Sequence, residues 1–385
     1  MNIADQTCCG CGACAAICPA ACIKIRMTAE GFYKACVEST ACIDCEICLS
    51  VCTMHEDVSV IGHEPLDAYA AYSQDEKLRG RSSSGGLFTH IAEWMIDAGG
   101  LVYGAAFNEK MELHHTSART KDDLARLRGS KYLQSYTGDV YAEIGRKLSD
   151  GTPVFFVGTP CQVAALYSVI GTRPPHLLTA DLICHGTPAP GLFLEYLHFL
   201  ERKYHGRIVD YCFRSKEYAN ARMSYTVKLT LSTGGAEKAV FLDGDEEPYT
   251  MRFISNALQC DSCYQCPFAC LRRTGDLTLG DYWGYEEAHP ELADINGVSL
   301  LLVNTENGRH VLENISGVEL LKTDRSYYLK KNRHLVVPPI KHPDRDRIYV
   351  EFSNSGFSKR FYDCTFLPDG YRLYILKRRI RGMIK

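Results

Sequence analysis

The spacing C-x2-C-x2-C-x3-C occurs three times in this chain, and it limits the possible folds more than any other feature. Cys8, Cys11, Cys14 and Cys18 form the first copy, followed directly by Pro19. Cys42, Cys45, Cys48 and Cys52 form the second, with Thr53 where the proline would stand. The third, Cys260, Cys263, Cys266 and Cys270, lies far downstream in the stretch CDSCYQCPFAC. A cubane iron–sulfur cluster needs four thiolates at the corners of a small tetrahedron. A tight loop supplies three of them, and its own fourth cysteine points away, so two such loops exchange fourth ligands.

That rule predicts one [4Fe-4S] cluster on Cys8, Cys11, Cys14 and Cys52 and another on Cys42, Cys45, Cys48 and Cys18. Residues 1–62 then form a bacterial-type dicluster ferredoxin domain. Zinc fits less well, because structural zinc sites separate their cysteine pairs by a dozen or more residues. Haem attachment is absent, since no C-x-x-C is followed by His. The Gly10-x-Gly12-x-x-Ala15 spacing imitates a dinucleotide fingerprint, but no strand precedes it and cluster ligands run through it. Cys9, Cys22 and Cys36 fall outside the pattern and read as packing residues or spare thiols.

The chain holds 19 cysteines in 385 residues, an odd number at metal-like spacings, which argues against a secreted disulfide scaffold. A net charge of −3 excludes a basic field that would seek nucleic acid. The opening MNIADQTCCG lacks a basic and apolar leader, and no stretch reaches the ~18 apolar residues of a spanning helix. The expected location is cytoplasmic. The basic segment YRLYILKRRIRGMIK reads as a solvated terminal helix, with peripheral membrane contact as the most it could add.

After Cys52 the cysteines stop for over a hundred residues. The loop RSSSGG (81–86) opens onto a segment in which Leu87, Ile91, Trp94 and Met95 share one helical face. Free N–H groups at such a helix start suit a pyrophosphate, although a serine-capped helix needs no ligand. GTPVFFVGTPCQVAALYSVI (151–170) reads as a buried parallel strand, a tight turn and a helix. The turn sits at the strand's carboxyl end, where α/β sheets bind ligands. Cys161 in that turn could be a nucleophile, a cluster ligand or a packing residue, with His185 nearby in sequence terms.

In chain order, RSSSGGLFTHI, RGSKYLQS (128–135), VGTPCQVAAL, DLICHGTP, FRSK (213–216) and CDSCYQCPF…RRTGDLTLGDYWG resemble the coenzyme F420 hydrogenase/dehydrogenase beta-subunit family, here with a dicluster domain in front. The resemblance runs to about residue 340. It implies a fold class of α+β / α/β type, in which the ferredoxin domain precedes a mixed α/β core binding FAD and a [4Fe-4S] cluster. The expected divisions are 1–62, a FAD-binding part 63–180, a part 181–340 with the third cluster, and a basic tail 341–385. Carried over residue by residue, FAD contacts fall on Ser84, Gly85 and Gly86 and on Ser130, Lys131 and Tyr132. Lys131 and Cys161 become the candidate catalytic residues. An ammonium near the isoalloxazine would stabilise anionic reduced flavin; a surface ion pair is the plainer role for Lys131.

For the third cluster the family pattern points to Cys161, Cys184, Cys263 and Cys266, while this chain adds Cys260 and Cys270. Cys263 and Cys266 are the firmest ligands and Cys184 the favoured remote one. Cys260 and Cys161 compete for the last place. Asp276, Gly280, Asp281 and Trp283 read as structural, with a strand from Asp276 to Leu279. The expected activity moves electrons between three [4Fe-4S] clusters, FAD and a two-electron carrier or organic substrate, with ferredoxin, deazaflavin or NAD(P)H as redox partner. The alternatives are an electron-transfer beta subunit of a larger hydrogenase or dehydrogenase, a reductase in polysaccharide biosynthesis, and a Cys161 hydrolase or transferase with structural clusters.

Overall fold

The computed structural model describes residues 7–55, 62–217, 226–242, 247–293, 296–358 and 361–362. Its strands are β1 (Ile23–Met27), β2 (Tyr33–Val37), β3 (Asp67–Ser73), β4 (Leu101–Phe107), β5 (Leu113–Ala118), β6 (Val154–Gly158) and β7 (Leu177–Leu182). They continue with β8 (Arg207–Cys212), β9 (Val227–Thr233), β10 (Ala236–Leu242), β11 (Leu277–Asp281), β12 (Ser299–Val303) and β13 (Val318–Lys322).

Eight of them make one mixed sheet in the order β13-β3-β12-β11-β7-β6-β4-β5. Its centre, β11-β7-β6-β4, is parallel, and its two sides are antiparallel. The run VFFV becomes β6, whose Val154, Phe155 and Phe156 are fully buried, as a strand covered on both faces requires. The helix Pro160–Ile170 follows at once. Thr159 caps it, with Gln162 completing the reciprocal capping box. β11 begins one residue later than the spacing predicts, at Leu277. Asp276 stands at its entry and accepts hydrogen bonds from Thr179 N, Thr179 Oγ1 and Thr305 Oγ1.

β3 lies between β12 and β13, so the stretches 63–180 and 181–340 share a single sheet. The three strands β8, β9 and β10 form a separate antiparallel sheet. Beside it the helices Pro190–Tyr204 and Arg345–Ser355 bury Phe193, Tyr196, Ile348 and Tyr349 in an aromatic core. The first part of the expected basic tail therefore belongs to the core. The segment YRLYILKRRIRGMIK lies outside the described residues. Among the described residues no helix is long and apolar enough to cross a membrane.

The N-terminal part is docked onto this core rather than tethered to it. Its hairpin of β1 and β2 sends Phe32 into the aromatic core. The short helix Ala13–Ile17 packs on Pro160–Ile170 and Val140–Ser149, where Ala13 and Val51 join Tyr141 and Phe156. Arg345, buried, bonds Glu30 of the hairpin at 3.1 Å and Asp261 of the third cysteine loop at 3.1 Å.

Candidate functional site

Each N-terminal loop places its last cysteine near cysteines of the other. Cys14 is buried among Cys11, Cys8 and Cys52; burial first, then those neighbours, pushes its thiol up. In the other group Cys18 lies near Cys48, and Cys22 sits beside both Cys18, at 3.4 Å, and Cys42. The first loop can curl because Gly10 and Gly12 take positive φ, +67° and +87°. The second does so with Asp44 and Glu46 at φ 51° and 59°, uncommon for residues with side chains.

The loops differ in their surroundings. The first faces the core: Thr137 Oγ1 and Tyr141 OH donate to the Cys11 carbonyl at 3.0 and 2.9 Å, and Gln134 Nε2 to the Cys9 carbonyl at 2.9 Å. The second is exposed, with Ile43 65% accessible and Cys45 open to solvent.

Behind the first loop lies a cavity of about 60 Å³. Cys161, at the start of the helix after β6, Cys184, just past β7, and Cys263 and Cys266 of the third cysteine loop all line it. Three segments far apart in sequence thus bring four thiols to one space. Burial pushes Cys184 up to about 12 and Cys266 up to about 11, the Cys161 charge adding to both, and raises Cys263 well above its ordinary value. Such buried thiols suit a site that exchanges protons for a metal cluster. Among the described residues no three His, Cys, Asp or Glu side chains converge on a single point as the ligands of one ion do. The four thiols ring a space instead, and that donor set fits a [4Fe-4S] cluster.

Cys260 is absent from the wall of this cavity. It is buried, its thiol directed to the Cys8 carbonyl at 3.8 Å and accepting from Ser262 Oγ at 3.3 Å. Cys270 turns to the Arg272 carbonyl. His185 is engaged with Asn256 Oδ1 at 2.5 Å and packs against His334 and Phe253. Cys9, by contrast, lines the cavity.

What aligns the three segments is a buried ion pair that sequence reading missed. Arg273 bonds the Asp181 carboxylate near the end of β7, and also the Leu182, Phe268 and Cys270 carbonyls. Asp181 accepts in return from Thr274 N and Gly275 N, and Thr274 Oγ1 reaches the Pro160 carbonyl beside Cys161. The clue in the sequence was RRTGD, an arginine directly after a cysteine loop, and DLIC, an aspartate three residues before a cysteine.

The expected flavin residues come together around two loops. Ser130 N donates to Ser83 Oγ at 2.8 Å, which joins 81–86 to 128–132. Much of their polarity is used internally. Ser84 Oγ donates to Val298 O, Gly85 N to Ser299 Oγ, and Lys131 Nζ to the carbonyls of Leu127, Arg128 and Gly129. Gly86 caps the helix Leu87–Asp97 with φ 91°. Tyr132 stacks on Phe253 and meets Phe213 edge-on. Lys216 Nζ donates to Ser84 O at 2.7 Å, and burial lowers both Lys131 and Lys216 to about 8. Arg81 and Arg128 stand close enough that, after burial, the Arg81 charge lowers Arg128 further. The cationic surroundings of these loops fit an anionic cofactor such as a dinucleotide.

These features define a cysteine-lined site built on an α/β sheet. The chain belongs to the coenzyme F420 hydrogenase/dehydrogenase beta-subunit family. Models of that family's N-terminal and C-terminal parts match residues 68–140 and 151–326. The two N-terminal cysteine loops precede the matched stretches. A 172-residue stretch is 26% identical to one of the subunits of the F(420)H(2) dehydrogenase of Methanosarcina mazei, covering 42% of this chain and 48% of that one. The chain thus spans about half the length of that relative. Among solved structures, a chain of the F420-reducing [NiFe] hydrogenase complex from Methanosarcina barkeri aligns with a TM-score of 0.44 and 15% identity. It covers 72% of this chain and 89% of that one.

Proposed function

We propose that this chain is an iron–sulfur flavoprotein oxidoreductase that acts as a subunit of a larger electron-transfer complex and exchanges electrons with a two-electron carrier of deazaflavin type. The observation that carries this reading is the convergence of Cys161, Cys184, Cys263 and Cys266 on one cavity, with the first N-terminal cysteine loop docked behind it. The name of the Methanosarcina mazei relative, which specifies F(420)H(2), supports the deazaflavin carrier.

Cys8, Cys11, Cys14 and Cys52 would hold one cluster, Cys42, Cys45, Cys48 and Cys18 a second, and the four cavity cysteines a third. The loops 81–86 and 128–132, with Arg81, Arg128 and Lys216 around them, would hold FAD. When bound, the clusters supply one-electron exchange and the flavin either one-electron or two-electron exchange. The chain's own residues set the order of sites. Thr137, Tyr141 and Gln134 fix the first loop against the core, so the cavity and first loop are neighbours and the exposed second loop is outermost. Cys161 is then a ligand and not a nucleophile.

Anaerobic purification followed by iron, sulfide and flavin counting tests this. The expected result is roughly twelve irons per chain, from three four-iron clusters, and one flavin. Eight irons would remove the third cluster, and no flavin would remove the hydride-linked activity. Bleaching of the flavin by reduced deazaflavin, NADH or reduced ferredoxin, compared side by side, identifies the donor.

A further inference from the structure

The two N-terminal cysteine loops share one spacing and one local conformation. Offset by 34 residues, Gly10 and Gly12 of the first loop match Asp44 and Glu46 of the second, and all four take positive φ. A short helix follows each loop, Ala13–Ile17 and Ile47–Ser50. Matched positions can therefore be compared directly, and their surroundings differ.

In the first loop these positions form the face that docks on the core. Cys9 lines the cavity, a Cβ on Gly12 would stand 2.6 Å from Thr137 Oγ1, and Ala13 is buried in one cluster with Tyr141. Side chains there are small because the core comes so close. The second loop carries Ile43, Asp44, Glu46 and Ile47 in place of Cys9, Gly10, Gly12 and Ala13. All four are exposed, Ile43 at 65% and Ile47 at 39%, and Cys45 between them is open to solvent. The face that is covered in one loop is thus uncovered in the other and enlarged by apolar and acidic side chains. Its charge has one sign. No Lys or Arg occurs between Lys34 and Lys77. Glu38 is paired with Arg26 at 3.0 Å, whereas no ion pair among the described residues involves Asp44 or Glu46.

We propose that Ile43, Asp44, Glu46 and Ile47 form the docking face for a separate one-electron redox protein, one that presents lysine or arginine around an apolar patch over its own redox centre. This rests on the iron–sulfur reading above, which places Cys45 among the ligands of the second cluster. The carboxylates steer a basic carrier toward the loop and repel an acidic one. The two isoleucines then exclude water from the contact. A second copy of this chain fits poorly, because a two-fold contact would set Asp44 and Glu46 against themselves. Each transfer moves one electron between the second cluster and the partner's centre, with no bond made or broken. The pair of electrons is drawn from, or returned to, the two-electron carrier.

The test uses the full chain, purified anaerobically and reduced with dithionite, and follows its oxidation by stopped flow. The probes are cytochrome c, a haem protein with a lysine-rimmed haem edge, and an uncharged quinone. Asp44→Gly with Glu46→Gly removes both charges and suits the positive φ. Asp44→Asn with Glu46→Gln removes the same charges and keeps the side-chain size. Rates are compared at about 0.01 M salt, where the screening length is about 30 Å, and at about 1 M, where it is about 3 Å. Both double variants should react with cytochrome c about tenfold more slowly than the unaltered chain at low salt and equally fast at high salt. Ile43→Ser with Ile47→Ser should slow the reaction at both. The quinone rate and a count of roughly twelve irons should stay unchanged throughout. Equal cytochrome c rates at low salt overturn the docking face, and so does an equal slowing with the quinone. A dimer of the unaltered chain in sedimentation, dissolved by Ile43→Ser with Ile47→Ser, would make the face a contact between copies and overturn it too. An unaltered chain without the eight N-terminal irons, at roughly four per cluster, overturns the cluster reading itself, whatever the rates.

Discussion

Arg273 and Asp181 meet at 2.7 Å with side-chain exposures of 1% and 0%, and between them they tie together the segments bearing Cys161, Cys184 and Cys266. Both oxygens of Asp181 are occupied, Oδ1 by Arg273 and Thr278 and Oδ2 by Thr274 and Gly275. A buried pair with its remaining hydrogen bonds satisfied is costly to break, because the survivor keeps an uncompensated charge. Asp181→Asn or Arg273→Met is expected to lower stability by about 3–5 kcal/mol. The same variants should lose the third cluster's four irons and keep the N-terminal eight. Denaturant midpoints and iron counts on one preparation check both parts, and full retention of iron would show that the pair does not order the site.

His115 gives the fold a pH dependence. It is sealed under the cavity, with Ser135 Oγ at 2.9 Å from Nδ1 and the Val157 carbonyl at 3.1 Å from Nε2, so the neutral ring carries its proton on Nε2. Burial, with Lys131 adding to it, lowers its pKa to about 4 from an ordinary 6.5. The unfolded chain therefore binds this proton more readily. The stabilisation is fully present above about pH 6.5 and is lost as pH falls toward 4, by about 3 kcal/mol at 1.36 kcal/mol per unit. His115→Gln should flatten that limb of the stability curve. An unchanged slope between pH 6.5 and 4 would assign the loss to other groups.

The expected grouping of the N-terminal cysteines comes from spacing, a local signal, and in the fold Cys14 lies near Cys8, Cys11 and Cys52. The strand VFFV and the helix QVAALYSVI were legible for the same reason, since periodicity is a short-range signal, although the helix starts two residues earlier, at Pro160, inside the expected turn. The choice between Cys161 and Cys260 was not legible. Both sit in suitable patterns, and only the chain's long-range path brings Cys161 to the cavity and turns Cys260 toward the Cys8 carbonyl. Cys9, read from its spacing as a packing residue or spare thiol, lines the cavity, a placement that spacing alone does not signal. The interleaving of β3 between β12 and β13 was equally out of reach, as nothing in Asp67–Ser73 names its partners.

Gly10 is expected to tolerate no side chain. Its φ of +67° disfavours any residue with a Cβ, and the space that atom would fill holds the Tyr33 carbonyl and Gln134 Nε2. Gly10→Ala therefore combines backbone strain with a clash against clamped backbone, at a cost of about 1–3 kcal/mol from the strain alone. The first loop should detach from the core, and amide hydrogen exchange should speed up at Tyr33, whose N–H bonds Gln134. Unchanged protection there would mean that Gln134 does not clamp the loop.

The flavin site can be separated from the iron sites. Arg81 and Arg128 begin the two loops, and neither lines the cysteine cavity. Arg81→Gln with Arg128→Gln removes two charges that favour a pyrophosphate. Loss of about 1.5–3 kcal/mol of binding, roughly tenfold to 150-fold in affinity, is the ordinary range for charge-assisted hydrogen bonds. Flavin content should fall while iron stays near twelve, from three four-iron clusters. Retention of stoichiometric flavin after dilution would place the cofactor elsewhere.

Cys161 and Cys260 make the sharpest pair of substitutions, because their sequence patterns compete for one ligand place and their surroundings differ. Cys161 is on the cavity wall beside Cys9, with Thr159 Oγ1 at 3.1 Å, and its thiol is held below the ordinary value chiefly by the Cys9 hydrogen bond. Cys260 is 1% exposed, pushed up by burial, and spent on Ser262 and the Cys8 carbonyl. Cys161→Ala should leave eight irons and abolish the visible absorption of one cluster. Cys260→Ala should keep all twelve, at roughly four per cluster, and lose only about 1 kcal/mol of packing. The reverse outcome, with eight irons in Cys260→Ala and twelve in Cys161→Ala, would make the downstream loop close its own cluster and return Cys161 to the role of a free thiol beside it.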